Sequence, residues 1–187
     1  MTCKLNGGGA FLHVPKTGGT WVQTVLRKNK LAGMQLGQEH SWGRFMEPWA
    51  FCVFRNPVHW WLSLWRYRCE TNFCYVNPGH VLHDIQHIHS LDPVIFISRA
   101  MREARGLCGK IYEKFAENTT YILHTETLSD ELLALGRKVG WGEIDVNVPK
   151  QNTTKPRPLP IGMGGILKDL VASEREAHAL WKRHSNL

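Results

Sequence analysis

The sequence predicts a single α/β domain with a mainly parallel central sheet flanked by helices. Short apolar runs alternate with segments of helical periodicity, which is the pattern of strands connected by crossover helices. The chain of 187 residues has the length of one domain and is long enough to bury a core. A hydrophobic content of 43% is ordinary for a folded domain. We therefore treat residues 1–187 as one domain.

The predicted strands are apolar runs that end at turn residues, and a helix is expected after each. The strands are expected at residues 10–14, 49–54 and 120–124. The expected helix starts are Pro57 in a first turn, Asp92 with Pro93 as an N-cap pair, and Ser129 as an N-cap. A last helix is expected over residues 165–184.

The charge of the chain favours an anionic partner. The net charge is +7 and the pI is about 9.3. Because the basic residues are scattered rather than grouped in runs, a small polyanion is favoured over nucleic acid. No apolar run approaches the roughly 20 residues that cross a bilayer, and the N-terminus lacks the order of a signal peptide. We expect a soluble cytoplasmic protein without a membrane span, or one of the Golgi lumen if an anchor precedes this chain.

The five cysteines are an odd number without framework spacing, which favours a reducing compartment. Cys52 lies in an apolar run and is expected to be a small core residue. Cys69 and Cys74 precede His80 and His83, but their spacing matches no standard zinc finger. This leaves open a metal site, a disulfide between the two cysteines, or an ordinary loop. We expect no metal.

The segment HVPKTGGTWV, residues 13–22, joins a predicted strand to a predicted helix. Backbone N–H groups point outward in such a turn, and the helix N-terminus adds partial positive charge. The glycines let the main chain approach an anion closely, while the lysine adds a full charge and the threonines add hydroxyl donors. A Walker A loop has its lysine after the glycines, and a Rossmann G-x-G-x-x-G is missing. The candidate anion ligands are Lys16, Thr17, Gly18, Gly19 and Thr20.

The segment CVFRNPVHWWLSLWRY, residues 52–67, is a second strand-to-helix junction. Arg55 ends the predicted strand, and Pro57 starts the helix. Ser63 lies further along the same helix. A guanidinium at a strand end and a hydroxyl from the adjoining helix can clamp a phosphate, because arginine can bind two of its oxygens.

Taken together, the two segments resemble the paired signatures of the sulfotransferase family, in its carbohydrate-type branch. YILHTETL (121–128) resembles the family's late strand that ends in an acidic residue and leucine, and QNTTK (151–155) its late Asn-x-Ser/Thr segment. The resemblance implies a P-loop-like nucleotide-binding fold and the co-substrate 3′-phosphoadenosine 5′-phosphosulfate (PAPS). It implies that the 5′-phosphosulfate is held by Lys16, Thr17, Gly18, Gly19 and Thr20, and the 3′-phosphate by Arg55 and Ser63.

The activity implied by this resemblance is transfer of a sulfuryl group from PAPS to an acceptor hydroxyl, expected on a carbohydrate, with no metal required. Such an in-line displacement resembles phosphoryl transfer and relies on positioning and cations. Lys16 would neutralise the charge that grows on the leaving phosphate oxygen. His40 is the first choice for the base that accepts the acceptor's proton, because histidine titrates near neutrality, and Glu39 is the alternative.

Two other functions stay open. One is a catalytically silent nucleotide-binding module of the same fold, and the other is a diverged P-loop phosphotransferase that uses ATP and magnesium. The position of the lysine before the glycines, together with Arg55 and Ser63, disfavours the phosphotransferase.

Some other side chains suggest an acceptor site more weakly. Tryptophans could stack on sugar rings, although helical spacing from residue 60 onward predicts that most of them are core; they stand at positions 42, 49, 60, 61 and 65. Arg99, Arg102 and Arg105 recur three apart and are expected on a solvated helical face.

Overall fold

The structure is a computed structural model that describes residues 2–35, 46–71, 80–149, 157–183 and 187. The strands are β1 (Cys3–Leu5), β2 (Ala10–Leu12), β3 (Ala32–Gln35), β4 (Ala50–Phe54) and β5 (Tyr121–His124). The helices are α1 (Gly19–Lys28), α2 (Pro57–Thr71), α3 (Pro93–Glu103), α4 (Leu107–Ala116), α5 (Leu128–Val139), α6 (Gly164–Ser173) and α7 (Arg175–Trp181). Short 3-10 helices span His83–Ile85 and Thr125–Thr127. The three strands predicted from sequence are confirmed, with slightly shorter ends.

The sheet is mixed, which corrects the expectation of a mainly parallel one. Its order is β3-β1-β2-β4-β5, and the pairs β2–β4 and β4–β5 are parallel. In contrast, β1 pairs antiparallel with both β2 and β3. The turn at residues 6–9 explains the antiparallel pairing of β1 with β2, since its three glycines have positive φ and Leu5 N–H donates to Gly9 O at 2.9 Å. A turn this short joins antiparallel neighbours, whereas a parallel connection needs a long crossover.

Helices cover both faces of the sheet, so side chains of β4 alternate between two cores. Phe51 and Val53 pack with residues of α1 and α5. Cys52 and Phe54 pack on the other face with residues of α2, α3 and α4. All four side chains are fully buried, as a central strand covered on both faces requires. The interpretation of Cys52 as a core residue is confirmed, and burial raises the pKa of its thiol to about 12.

Three of the tryptophans belong to the core, as their helical spacing predicts. Trp60, Trp61 and Trp65 are buried on the inner face of α2. Trp49 is half-buried, and its ring lies 5.9 Å from that of Trp141. Trp42 lies outside the described residues.

Two of the predicted helix starts are confirmed. Pro57 opens α2. The Asp92 side chain accepts hydrogen bonds from Val94 N at 2.7 Å and Ile95 N at 3.3 Å, which makes it the N-cap of α3.

Two helix boundaries differ from the prediction. α5 begins at Leu128 with Thr127 as its N-cap, because the 3-10 turn Thr125–Thr127 starts the winding before Ser129. The predicted last helix is divided into α6 and α7 at Glu174. Its carboxylate is buried and accepts hydrogen bonds from Trp61 Nε1 at 2.9 Å and Gly109 N at 3.2 Å. These bonds hold Glu174 in a non-helical conformation.

Among the described residues, no helix combines the length and the apolar composition needed to cross a membrane.

Candidate functional site

The carboxyl ends of β2, β4 and β5 lie side by side, so the segments that follow them meet at one edge of the sheet. Ligands of open α/β sheets bind outside the carboxyl ends of parallel strands. Here hydrogen bonds join the three segments. The Thr125 hydroxyl lies 2.7 Å from Thr17 O and 3.0 Å from Phe54 O. Arg55 Nη1 donates to Lys16 O at 3.3 Å, which brings the two sequence motifs together.

The turn between β2 and α1 has the backbone geometry of an anion-binding loop. Lys16 at φ 65° and Gly18 at φ 89° are both left-handed, and α1 starts at the next residue. The first N–H groups of a helix have no acceptor within the helix and are available to an anion. The buried Thr17 hydroxyl donates to Val14 O at 2.9 Å. This hydroxyl therefore holds the turn together, and Thr17 would bind an anion through its backbone.

Gly19 is enclosed by the ring of His13. A β-carbon added at Gly19 would lie 1.9 Å from His13 Cδ2. His13 is itself buried and stacks on Phe11 with 5.9 Å between ring centroids. Burial, assisted by the charge of Lys16, lowers the pKa of His13 to about 3, so its ring is neutral. Thr20, the next residue of α1, has a half-buried side chain. The turn before α1 packs on the buried ring of His13.

The Lys16 side chain extends toward the second motif. Its Nζ lies 3.7 Å from the centroid of the Tyr67 ring, on α2. Burial lowers the pKa of Lys16 to about 8; the positive charge of Arg55 acts in the same direction, and Glu70 opposes it. The contact with the aromatic face offsets part of the cost of burying the ammonium. An anion beside Lys16 would favour its charged form again.

The main chain of Arg55 is held on both sides by Tyr112. The phenol accepts a hydrogen bond from Arg55 N at 3.0 Å and donates one to Arg55 O at 2.6 Å. Tyr112 is fully buried and stacks on Phe54 with 4.1 Å between ring centroids. Burial lowers the pKa of the Arg55 guanidinium, while Glu126 opposes this shift. The Nε of Arg55 is buried without an acceptor in the described part of the chain.

α2 contributes a half-buried face that carries Ser63, Arg66 and Tyr67 at helical spacing. The helix is fixed to the first motif, because buried Trp60 Nε1 donates to Pro15 O at 2.8 Å. Like that of Arg55, the Nε of Arg66 is buried without an acceptor among the described residues. Lys16, Arg55 and Ser63 are thus brought to one region, as the two motifs predict.

Sequence reasoning missed several residues of this region. Arg66 and Tyr67 could have been found, because they lie three and four residues after Ser63 on a predicted helix. Thr125 lies in the YILHTETL segment, but nothing in its neighbours indicates a bond to the first motif. Tyr112 has no signal in the sequence, since it reaches Arg55 from a helix 57 residues away.

The candidate bases His40 and Glu39 lie outside the described residues, as does the segment 151–155. A carboxylate and an imidazole do lie at the same edge of the sheet. Glu126 Oε1 accepts a hydrogen bond from Asn56 N at 3.0 Å and lies 3.6 Å from His59 Nδ1. Both groups are partly exposed to solvent.

Among the described residues, no cluster of three or more histidine, cysteine or acidic side chains could hold a metal. Cys69 is a free thiol whose Sγ lies 3.8 Å from Ser90 O. Cys74 lies outside the described residues. The expected solvated face of α3 is confirmed at Arg102, which is exposed, whereas Arg99 is half-buried. The two arginines pair with Glu103 at 2.6 Å and 3.3 Å. Arg105 is exposed beyond the end of that helix.

Two open clefts lie outside this region. One of about 620 Å³ runs between α1 and residues 147–149, and its lining includes Thr24, Arg27 and Lys28. The other, of about 240 Å³, lies between the end of β5 and the end of α7. Neither has Lys16 or Arg55 in its lining. We place the candidate site at these cations, because a phosphate is bound by charge and backbone donors rather than by an enclosed volume.

Comparison with protein-family models, with curated proteins and with solved structures gives no match for this chain. The architecture and the geometry of the site are therefore the basis for the function.

Proposed function

We propose that the chain is a PAPS-dependent sulfotransferase that transfers a sulfuryl group to an acceptor hydroxyl on a carbohydrate. One observation carries the proposal: cations from the two predicted phosphate-binding segments meet at the carboxyl edge of the parallel strands, where Arg55 Nη1 donates to Lys16 O at 3.3 Å. A glycine turn that opens a helix lies at the same place. Two anionic groups of one nucleotide would fit this pairing better than a single phosphate.

Each residue has a defined role in the proposal. The 5′-phosphosulfate is held by Lys16, Thr17, Gly18, Gly19 and Thr20. Arg55 and Ser63 hold the 3′-phosphate. In the transfer, the acceptor oxygen forms a bond to sulfur while the bond from sulfur to the leaving phosphate oxygen breaks. Lys16 stabilises the charge on that oxygen, His40 or alternatively Glu39 takes the acceptor's proton, and 3′-phosphoadenosine 5′-phosphate (PAP) is released.

Ligand-induced thermal stabilisation tests the nucleotide site. At about 100 times its dissociation constant, a ligand adds roughly 2.7 kcal/mol to the free energy of unfolding. For a domain of this size the melting temperature rises by about 5–10 °C. We expect this rise with PAP and not with ATP plus magnesium. A rise only with ATP and magnesium would favour a phosphotransferase, and no rise with either would contradict the proposed site.

A transfer assay with PAPS and a panel of carbohydrate acceptors separates an enzyme from a catalytically silent binder. Lys16→Ala is expected to abolish turnover, and Arg55→Ala chiefly to weaken nucleotide binding. Arg102→Ala is the matched control, because its side chain is 72% exposed on the outer face of α3. Full activity of Lys16→Ala would contradict the mechanism. PAP binding by the wild-type chain without transfer to any acceptor would favour the silent module.

A further inference from the structure

Arg66 is a half-buried cation that the proposed roles do not yet use. It lies on α2 three residues after Ser63, so the two side chains project from the same face of the helix. Tyr67 follows directly and carries the Lys16 ammonium over its ring. Arg66 therefore shares one half-buried side of α2 with the serine of the second motif and with the tyrosine that contacts Lys16.

The hydrogen bonding of Arg66 is incomplete. Its Nη2 lies 3.5 Å from Arg157 O, which is at the outer limit for a hydrogen bond. Its Nε is removed from solvent and has no acceptor among the described residues. The same holds for the Nε of Arg55. Two desolvated guanidinium donors in one region are unfavourable unless an acceptor is supplied, and an oxyanion is the acceptor that suits arginine best.

The charges around Arg66 also favour a bound anion. Its positive charge lowers the pKa of Arg55, so the two guanidinium groups are close enough to repel each other. Glu126 acts on Arg55 and Glu70 acts on Lys16, each as a partial counter-charge. Among the described residues, the positive charges of Lys16, Arg55 and Arg66 are thus opposed by the two carboxylates of Glu70 and Glu126. The region therefore carries an excess of positive charge that a dianionic phosphate would balance.

We propose that Arg66 is a second arginine of the 3′-phosphate subsite and that, with Arg55, it makes the site select nucleotides that carry a 3′-phosphate. This inference rests on the proposed function above. The 5′ side is built from the turn before α1, whereas Arg66 stands on α2 beside Ser63. A nucleotide without a 3′-phosphate leaves the Nε atoms of both guanidinium groups without an acceptor among the described residues. Selectivity then follows, because a site built around a polar group discriminates strongly against an analogue that lacks it.

The test compares two nucleotides by calorimetric titration of the wild-type chain, two variants of Arg66 and one control variant. The nucleotides are PAP and adenosine 5′-phosphate, which differ only in the 3′-phosphate. Arg66→Gln is expected to weaken binding of PAP about 10–100-fold while changing the affinity for adenosine 5′-phosphate less than about twofold. Arg66→Lys keeps the charge but loses the two-donor geometry, and we expect it to recover part of the PAP affinity.

Arg102→Gln is the matched control, since it removes an arginine from an exposed helical face. The melting temperature of each variant without ligand checks that it folds, and Arg66→Lys keeps the test valid if Arg66→Gln is unstable. Equal losses for both nucleotides, or no loss for PAP, would overturn the role of Arg66. That result differs from failure of the proposed function, in which the wild-type chain itself would show no preference for PAP.

Discussion

A β-carbon built on Gly19 would lie 1.9 Å from the ring of His13, which is buried beneath the turn before α1. Gly19→Ala should therefore lower the free energy of unfolding by about 1–3 kcal/mol, because the ring has no free space to move into. Urea unfolding followed by tryptophan fluorescence measures this loss.

The control for that substitution is Gly165→Ala in α6, where a β-carbon has no neighbour within 4 Å. There alanine should stabilise the helix by about 0.5–1 kcal/mol, since glycine loses more backbone freedom on folding. Similar changes at both positions would contradict the packing described for Gly19.

At Arg55, the main chain depends on a single oxygen, the phenol of Tyr112. Tyr112→Phe removes that oxygen and leaves a partly buried N–H and a partly buried carbonyl without this partner, at a cost of about 1–3 kcal/mol. Because Arg55 is then less well positioned, we expect the KM for PAPS to rise several-fold while the KM for the acceptor changes little.

Tyr121→Phe is the comparison, since this tyrosine is half-buried on β5 and away from Arg55. Steady-state kinetics with each substrate varied separately measures both variants. A rise in the two KM values together would mean that Tyr112 acts on the whole fold rather than on Arg55.

Among the elements, the break between α6 and α7 is made by one buried carboxylate. Glu174 accepts hydrogen bonds from Trp61 Nε1 and Gly109 N, and the second of these belongs to the first turn of α4. A carboxylate is favourable there because it faces the positive end of the helix. Burial nevertheless raises the pKa of Glu174, while the hydrogen bonds oppose the shift.

Removing this carboxylate should destabilise the packing of three helices. Glu174→Ala is expected to cost about 2–4 kcal/mol, since it leaves two buried donors without an acceptor. Glu174→Gln should cost less, because the amide oxygen can still accept one of the bonds. The exposed Glu176→Ala on α7 serves as the control and should cost less than about 1 kcal/mol. Equal losses for Glu174→Ala and Glu176→Ala in urea unfolding would contradict this account.

For the molecule as a whole, His124 joins the edge of the sheet to two helices. Its Nδ1 lies 3.0 Å from Glu131 Oε1 on α5, and its Nε2 lies 2.8 Å from Trp181 O at the end of α7. A carboxylate and a carbonyl can only accept hydrogen bonds, so both ring nitrogens donate and the ring is an imidazolium.

The pKa shifts of this pair agree with that assignment. The hydrogen bond to Glu131 raises the pKa of His124, against the effect of burial. Burial disfavours ionisation of Glu131, but its hydrogen bonds with His124 and Thr127 together outweigh burial and hold its pKa below the usual value. Stability from His124 is therefore fully present below its unfolded pKa and is lost as the pH rises through its higher folded pKa.

Stability measured against pH tests this link. His124→Gln should lower the free energy of unfolding by about 2–3 kcal/mol at pH 5.5, because two charge-assisted hydrogen bonds are lost. The deficit should shrink as the pH rises through the raised folded pKa of His124, above which the wild-type ring is neutral as well. Exposed His59→Gln, measured in the same way, is the control for the loss of a histidine from the surface. A deficit that does not depend on pH would show that His124 is neutral in the folded chain.

Local chemistry made part of the fold and site predictable. The turn before α1, the proline that opens α2 and the N-cap at Asp92 are each determined by residues close together in the sequence. The antiparallel strands β1 and β3 were missed, because CKL and AGMQ are not continuous apolar runs like those of the three predicted strands. The break at Glu174 was missed for another reason, since its partner Trp61 lies 113 residues away.

The sequence by itself determined the α/β class, the three parallel strands and the two segments that carry the candidate anion ligands, because periodicity and turn chemistry act between near neighbours. Only the tertiary structure decided the mixed sheet, the contact of Lys16 with Tyr67 and the hydrogen bonding of Tyr112 to the main chain of Arg55. These depend on residues that are distant along the chain and are brought together by packing. Such contacts leave no repeat in the sequence from which they could be predicted.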